Sequence, residues 1–250
     1  MKSANGALSM KMADKPITFS APMVRALLAG TKTQTRRLIS PTKDAKIKPG
    51  DILVSWPADL VVRQGERFRP RYFPGDRVYV REHWRISNRW DQTAPRDLAP
   101  RSMTVFCEAG GSIANQASGE WEPDNSYPVE RPDWLGRHRQ AMHMPRWASR
   151  MWLQITDVRV QRLQDISEAD CREEGLERGY VGGLLPSYRG SPDLEWRIYA
   201  DGAYGELWDS LHTEPGSTWV DYPWIVAYSF TVHHGNIDGF PNTSGNGVGR

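Results

Sequence analysis

The sequence predicts an α+β protein, a β-barrel with peripheral helices. Segments of strand character recur along the chain, at residues 17–19, 33–39, 77–84, 151–164 and 224–232. Helical periodicity is confined to a few short stretches. A chain of 250 residues can bury a substantial core, yet it is long for one small barrel and short for two full-sized domains. Many strands with few helices between them suit a sheet closed on itself, with the helices outside.

Residues 1–15 are small and polar, with Met10 and Met12 as alternative starts, and read as a flexible leader. A single domain is expected over 16–234, opening with the strand at 17–19. Ala21–Leu28 follows as an amphipathic helix with Met23, Val24, Ala26 and Leu27 on one face. Ser20 can cap it, Pro22 suits its first turn, and Gly30 can take the left-handed conformation that ends it. Residues 33–39 alternate β-branched and polar side chains before Pro41. Pro49-Gly-Asp51 and Pro74-Gly-Asp76 are turn signatures ahead of the β-rich runs 52–56 and 77–84.

Residues 85–136 are the least regular part and read as an insertion that covers or lines a cleft, with a strand at 105–108. The longest strand is 151–164, bent or bulged in its middle. Trp152, Gln154, Thr156 and Val158 share one parity there; Leu153, Ile155, Asp157 and Arg159 share the other. Ser167 caps a helix over 168–177, with Glu168 and Asp170 beside its positive end. Residues 179–192 read as a glycine-rich loop without the spacing of a phosphate-binding loop. The later part of 193–212 is helical, with Tyr204, Leu207, Trp208 and Leu211 as its apolar stripe. Residues 235–250 are rich in Gly, Asn and Ser and are expected to be a disordered tail.

A net charge of +2 excludes a tail-driven nucleic-acid binder, so any basic surface must be local. The eleven tryptophans serve as core anchors or as stacking surfaces for bases. Cys107 and Cys171 are far apart and form no zinc motif, and the histidines have no ligand spacing. No metal or other cofactor is therefore expected. Without a signal peptide or long apolar run the protein is expected to be cytoplasmic, with free thiols and no membrane partner. The oligomeric state stays open.

The densest chemistry lies at Ala29-Gly-Thr-Lys-Thr-Gln-Thr-Arg-Arg37. Lys32 falls on a helix-to-strand corner, where a side chain can point into a cleft. Period 2 places Thr33, Thr35 and Arg37 on one face and Gln34 and Arg36 on the other. Taken alone the stretch reads as a solvated basic turn; in a cleft it suits an anionic, polar or nucleotide-like ligand.

Four blocks change that balance: 17–37, Pro74-Gly-Asp-Arg-Val-Tyr-Val-Arg-Glu-His-Trp84, the run 143–167 beginning His143-Met-Pro-Arg-Trp147, and Leu207-Trp-Asp-Ser210 with Pro223-Trp-Ile-Val-Ala-Tyr-Ser-Phe230. In this order they resemble the ASCH domain family, whose fold is related to the PUA domains, and within it the long proteins of phages and prophages. The resemblance covers somewhat under half the chain and implies a PUA-like barrel. It also implies kinship with bacterial amidohydrolases that remove the acyl group from N4-acetylcytidine.

In those enzymes the resemblance implies a lysine and a threonine in the corner motif and a glutamate on a later strand. The first two fall on Lys32 and Thr35; the third falls on Gln154, which cannot exchange a proton at neutral pH. Either this chain is a binder without catalysis, or another carboxylate substitutes, or the residue was changed to trap a ligand. Glu82 is the best substitute, unless it pairs with Arg81 or an arginine of the corner; Asp157 and Asp209 are weaker. Lys32 would activate the Thr35 hydroxyl or a water, with Arg36 or Arg37 lowering its pKa or holding an oxyanion. Trp84 and Trp147 would stack a base, and His143 and Arg150 complete the substrate contacts. The readings are therefore an N4-acylcytidine-type amidohydrolase, a non-catalytic RNA- or DNA-binding module and, last, a ribonuclease.

Overall fold

A computed structural model describes residues 14–39, 53–54, 60–62, 67–68, 70–98, 104–114, 123–124 and 133–239. Its central element is a five-stranded mixed sheet built from β1 (Lys15–Thr18), β2 (Gln34–Leu38), β3 (Arg77–Arg81), β4 (Met151–Arg162) and β5 (Trp224–His234). The spatial order is β1-β3-β4-β5-β2. Only the β1–β3 pair is parallel. The protein is thus α+β, as expected, but no closed barrel occurs among the described residues. Among these residues β1 and β2 are the edges, joined by α1 (Ala21–Leu28) and spanned by the Arg37 side chain, which donates to the Thr18 carbonyl at 2.8 Å.

One face of the sheet holds the main core, with Ile17, Val78, Val80, Leu153, Ile155, Val226, Tyr228 and Phe230. Phe19, Val24 and Leu27 cover it from the β1–α1 corner. The other face packs α2 (Glu168–Glu173) and α3 (Ala200–Leu211) through Leu163, Cys171, Tyr204, Trp208, Ile225 and Ala227. Burial pushes the Cys171 thiol up to about 12 and the Cys107 thiol well above its usual range, and both are free.

Gly30, at φ 72°, ends α1 as its sequence requires, although the Ser20 side chain makes no capping bond. Three expectations need correction. β4 has its register shift between Ile155 and Asp157, and the extra residue reverses the parity beyond it. Val158 therefore packs with Leu153 and Ile155, while Asp157 changes face. Glu177–Val181 and Leu185–Arg189 form a hairpin rather than a glycine-rich loop; Gly182 and Gly183 supply positive φ at its turn. The run 77–84 is not one strand, because Trp84–Arg85 leaves β3 and pairs with Thr104–Cys107.

With Ser112–Ala114 and Pro123–Asp124 that pair makes a second antiparallel sheet, so the insertion has a core of its own around Trp84, Ile86, Val105 and Ile113. The expected leader and tail each include described residues. Asp14 and Lys15 are placed, and Asn236 and Ile237 are buried before residue 240. Residues 1–13 and 240–250, the turn at 49–51 and most of 52–56 lie outside the described residues. None of the helices described is long and apolar enough to cross a membrane.

Candidate functional site

The two faces of edge strand β2 lead to two different places. On one face Gln34 and Arg36 meet α2, joined by Lys32 just ahead of the strand. Lys32 has no exposed surface. Its ammonium donates to the Glu174 carboxylate at 2.6 Å and to the Glu174 carbonyl at 2.8 Å. Arg36 donates to the other carboxylate oxygen of Glu174 at 3.1 Å and lies 3.3 Å from Asp170. Asp170 also receives Arg159 at 2.8 Å and Gln34 at 3.1 Å, and Gln34 reaches Glu173 at 3.0 Å.

Burial lowers the pKa of Lys32; the charge and hydrogen bond of Glu174 oppose that, while Arg37 and Arg36 reinforce it. Burial alone would raise the pKa of Asp170, but hydrogen bonds from Arg159, Gln34 and Ser167 hold it far below the usual carboxylate range.

Local sequence puts Glu174 there. Ser167 and Asp170 form a capping box that starts α2, and Gly175 turns the chain immediately after Glu174 at φ 95°. A Cβ at Gly175 would lie 3.1 Å from the Cβ of Ala26 and 3.2 Å from that of Lys32, so glycine permits the close approach. Thr33 donates its backbone N–H to the Glu173 carbonyl and closes the contact.

The other face of β2 carries Thr35, which pairs with Tyr228 of β5, and Arg37. Arg37 opens onto a cavity of about 480 Å³ in the seam between β1 and β2, which Arg71, Arg81, Tyr72, Tyr228 and Met142 also line. Phe19 lies against both places, its ring centre 5.9 Å from the Lys32 ammonium and 5.0 Å from the Arg37 guanidinium carbon.

The other expected site residues are dispersed. Gln154 is exposed on β4, in register between Thr231 and Arg77, and both bonds of the Lys32 ammonium go elsewhere. Glu82 is buried against Arg150 in a bidentate pair at 2.8 and 2.9 Å, with Arg150 also bonded to the Gly110 carbonyl. Its partner is neither Arg81 nor an arginine of the corner. Trp84 is fully buried in the insertion core, where Arg139 covers its ring, and it is not on a strand face with Glu82. Trp147 packs against the same core. His143 is exposed in a short turn, Asp157 is exposed, and Asp209 accepts the Trp219 backbone N–H. None of the described residues of 85–136 lines the cavity.

The sequence pattern does not mark Glu174, Asp170, Arg71 or Arg81 as site residues: it places Asp170 only in the first turn of α2 and offers Arg81 only as a partner for Glu82. A signal existed for Glu174. Two acids at the negative end of a short helix are unfavourable unless cations meet them. Comparison with protein-family models, curated proteins and solved structures finds no match to this chain.

Proposed function

We propose that the chain binds a nucleoside and hydrolyses an amide on its base, in the manner of an N4-acylcytidine deacylase. The observation that carries this reading is the Lys32–Glu174 pair. A lysine of lowered pKa and a carboxylate sit together beside the guanidinium of Arg36. Neutral Lys32 would take a proton from water as the water oxygen bonds to the acyl carbon. A guanidinium would steady the resulting oxyanion; the C–N bond then breaks, and Glu174 passes the proton to the departing amine. The carboxylate missing at Gln154 is thereby supplied by Glu174, the residue that follows α2.

The test is deacylation of N4-acetylcytidine followed by chromatography. Wild type should turn over, and Lys32→Ala and Glu174→Gln should each lose about 10²- to 10⁴-fold. Gln154→Glu should leave the rate unchanged; turnover by the Gln154→Glu form alone would return the proton transfer to position 154. An inert wild type on several N4-acyl cytidines would end the proposal.

One observation favours a second reading, a non-catalytic nucleic-acid-binding module. Lys32 and Glu174 are closed off from solvent. Catalysis requires the pair to open to solvent. The module instead should bind an oligonucleotide with an affinity that falls as salt rises.

A further inference from the structure

Three guanidiniums, from Arg37, Arg71 and Arg81, meet at the cavity between β1 and β2, and among the described residues no carboxylate lines it. Among the described residues none of the three forms an ion pair. Arg37 donates to the Thr18 carbonyl, Arg81 to the Met142 carbonyl and the Tyr79 hydroxyl, and Arg71 lies over the ring of Tyr72. Two buried arginines outside the seam are matched, Arg150 by Glu82 and Arg36 by Glu174 and Asp170, whereas buried Arg139 is held by the carbonyls of Thr93 and Trp90. Among the described residues the seam therefore concentrates positive charge held in place by neutral acceptors.

A guanidinium fork matches two phosphate oxygens at once, and several forks around one hollow suit a dianion. The rest of the lining has a different character. Ile17, Leu38, Val226 and Met142 are apolar, and the rings of Tyr72 and Tyr228 meet edge to face with centres 5.1 Å apart. The Tyr228 hydroxyl accepts the main-chain N–H of Arg71 at 3.2 Å, which leaves its own proton without an acceptor among the described residues. A ligand that satisfies this lining combines an anionic group, a partly apolar flat body and a hydrogen-bond acceptor.

We propose that this cavity binds a nucleoside monophosphate, its phosphate held by Arg37, Arg71 and Arg81 and its nucleoside by the tyrosine-lined wall. About 480 Å³ lies within the range of small-ligand sites, roughly 300–1,000 Å³, and fits one nucleotide rather than a strand. The assignment does not rest on amide hydrolysis. An inactive protein that passes the test below keeps it, and an active deacylase that fails the test loses it.

The experiment is isothermal titration calorimetry of the full chain with AMP, CMP, GMP and UMP, each beside its nucleoside, and with inorganic phosphate. At least one monophosphate should bind about tenfold or more tightly than both its nucleoside and inorganic phosphate. Arg71→Ala should erase that advantage. Its side chain is exposed, so the thermal unfolding midpoint of the free protein should hold and show that the variant folds. Equal affinity for monophosphate and nucleoside would overturn the proposal, as would inorganic phosphate binding as tightly as any nucleotide. Unaltered binding by Arg71→Ala together with Arg81→Met would overturn it too. So would a single-stranded oligonucleotide that competes more strongly than every monophosphate.

Discussion

Lys32 carries an ammonium into a place without water, where the Glu174 carboxylate is its nearest counter-charge. Its lowered pKa has a definite sign. Between the lowered value and the ordinary 10.5, the unfolded chain binds more protons than the fold, so stability rises with pH across that window. Hydrolysis should follow the same direction, because the neutral amine accepts the proton. We expect kcat/KM for an N4-acyl cytidine to climb with pH, with an inflection below 10.5; a flat or falling profile there contradicts Lys32 as the base.

Glu82 illustrates the opposite outcome for a candidate acid. Both it and Arg150 are almost wholly buried, and both carboxylate oxygens of Glu82 accept from Arg150. Glu82→Ala strands a charge inside the fold and should cost about 3–5 kcal/mol in denaturant unfolding. A loss of activity with full stability would instead restore Glu82 to the chemistry.

At the scale of elements, α2 is short and depends on its ends. Ser167→Ala removes the capping bond to the Asp170 N–H and should cost about 1 kcal/mol, read by chemical denaturation. Gly175 and Gly30 make a useful pair, since both have positive φ but only Gly175 is crowded. Gly30→Ala should cost about 1–2 kcal/mol for the left-handed backbone alone. Gly175→Ala should cost more, because its Cβ must also displace Ala26 and Lys32. Equal losses would show that the close approach is slack.

Elements were legible in the sequence where their cause is local. α1 spans Ala21–Leu28, where its periodicity and flanking residues put it, and β4 is long with a mid-strand irregularity, as its pattern suggested. The position of the bulge was not legible, because it depends on pairing with β5. The hairpin at 177–189 was misread because its glycines form the turn while most of its strand residues face solvent and show no apolar alternation.

Across the whole molecule, the Asp170 cluster links β2, β4 and α2, and its acid sensitivity should be visible globally. A carboxylate held below its ordinary 3.8 contributes stability that is present above that value and is lost as pH falls toward its folded value. Wild type should therefore lose stability in acid below about pH 4, while Asp170→Asn should be weaker at pH 7 and flatter in acid. Urea midpoints between pH 2 and 7 would decide it, and parallel curves for the two proteins would remove Asp170 as the acid-sensitive group.

By itself the sequence determined the α+β class, the helix-to-strand corner and the alternating faces of β2. Those follow from periodicity, turn residues and caps, all of which act over a few positions. Tertiary structure alone decided that Lys32 meets Glu174, a partner 142 residues away, and that Glu82 is spent on Arg150. It also brought Arg37, Arg71 and Arg81 to one unclosed seam. The physical reason is that burial and pairing of charge depend on which faces pack together, and faces far apart in sequence meet only once the sheet and α2 are in place.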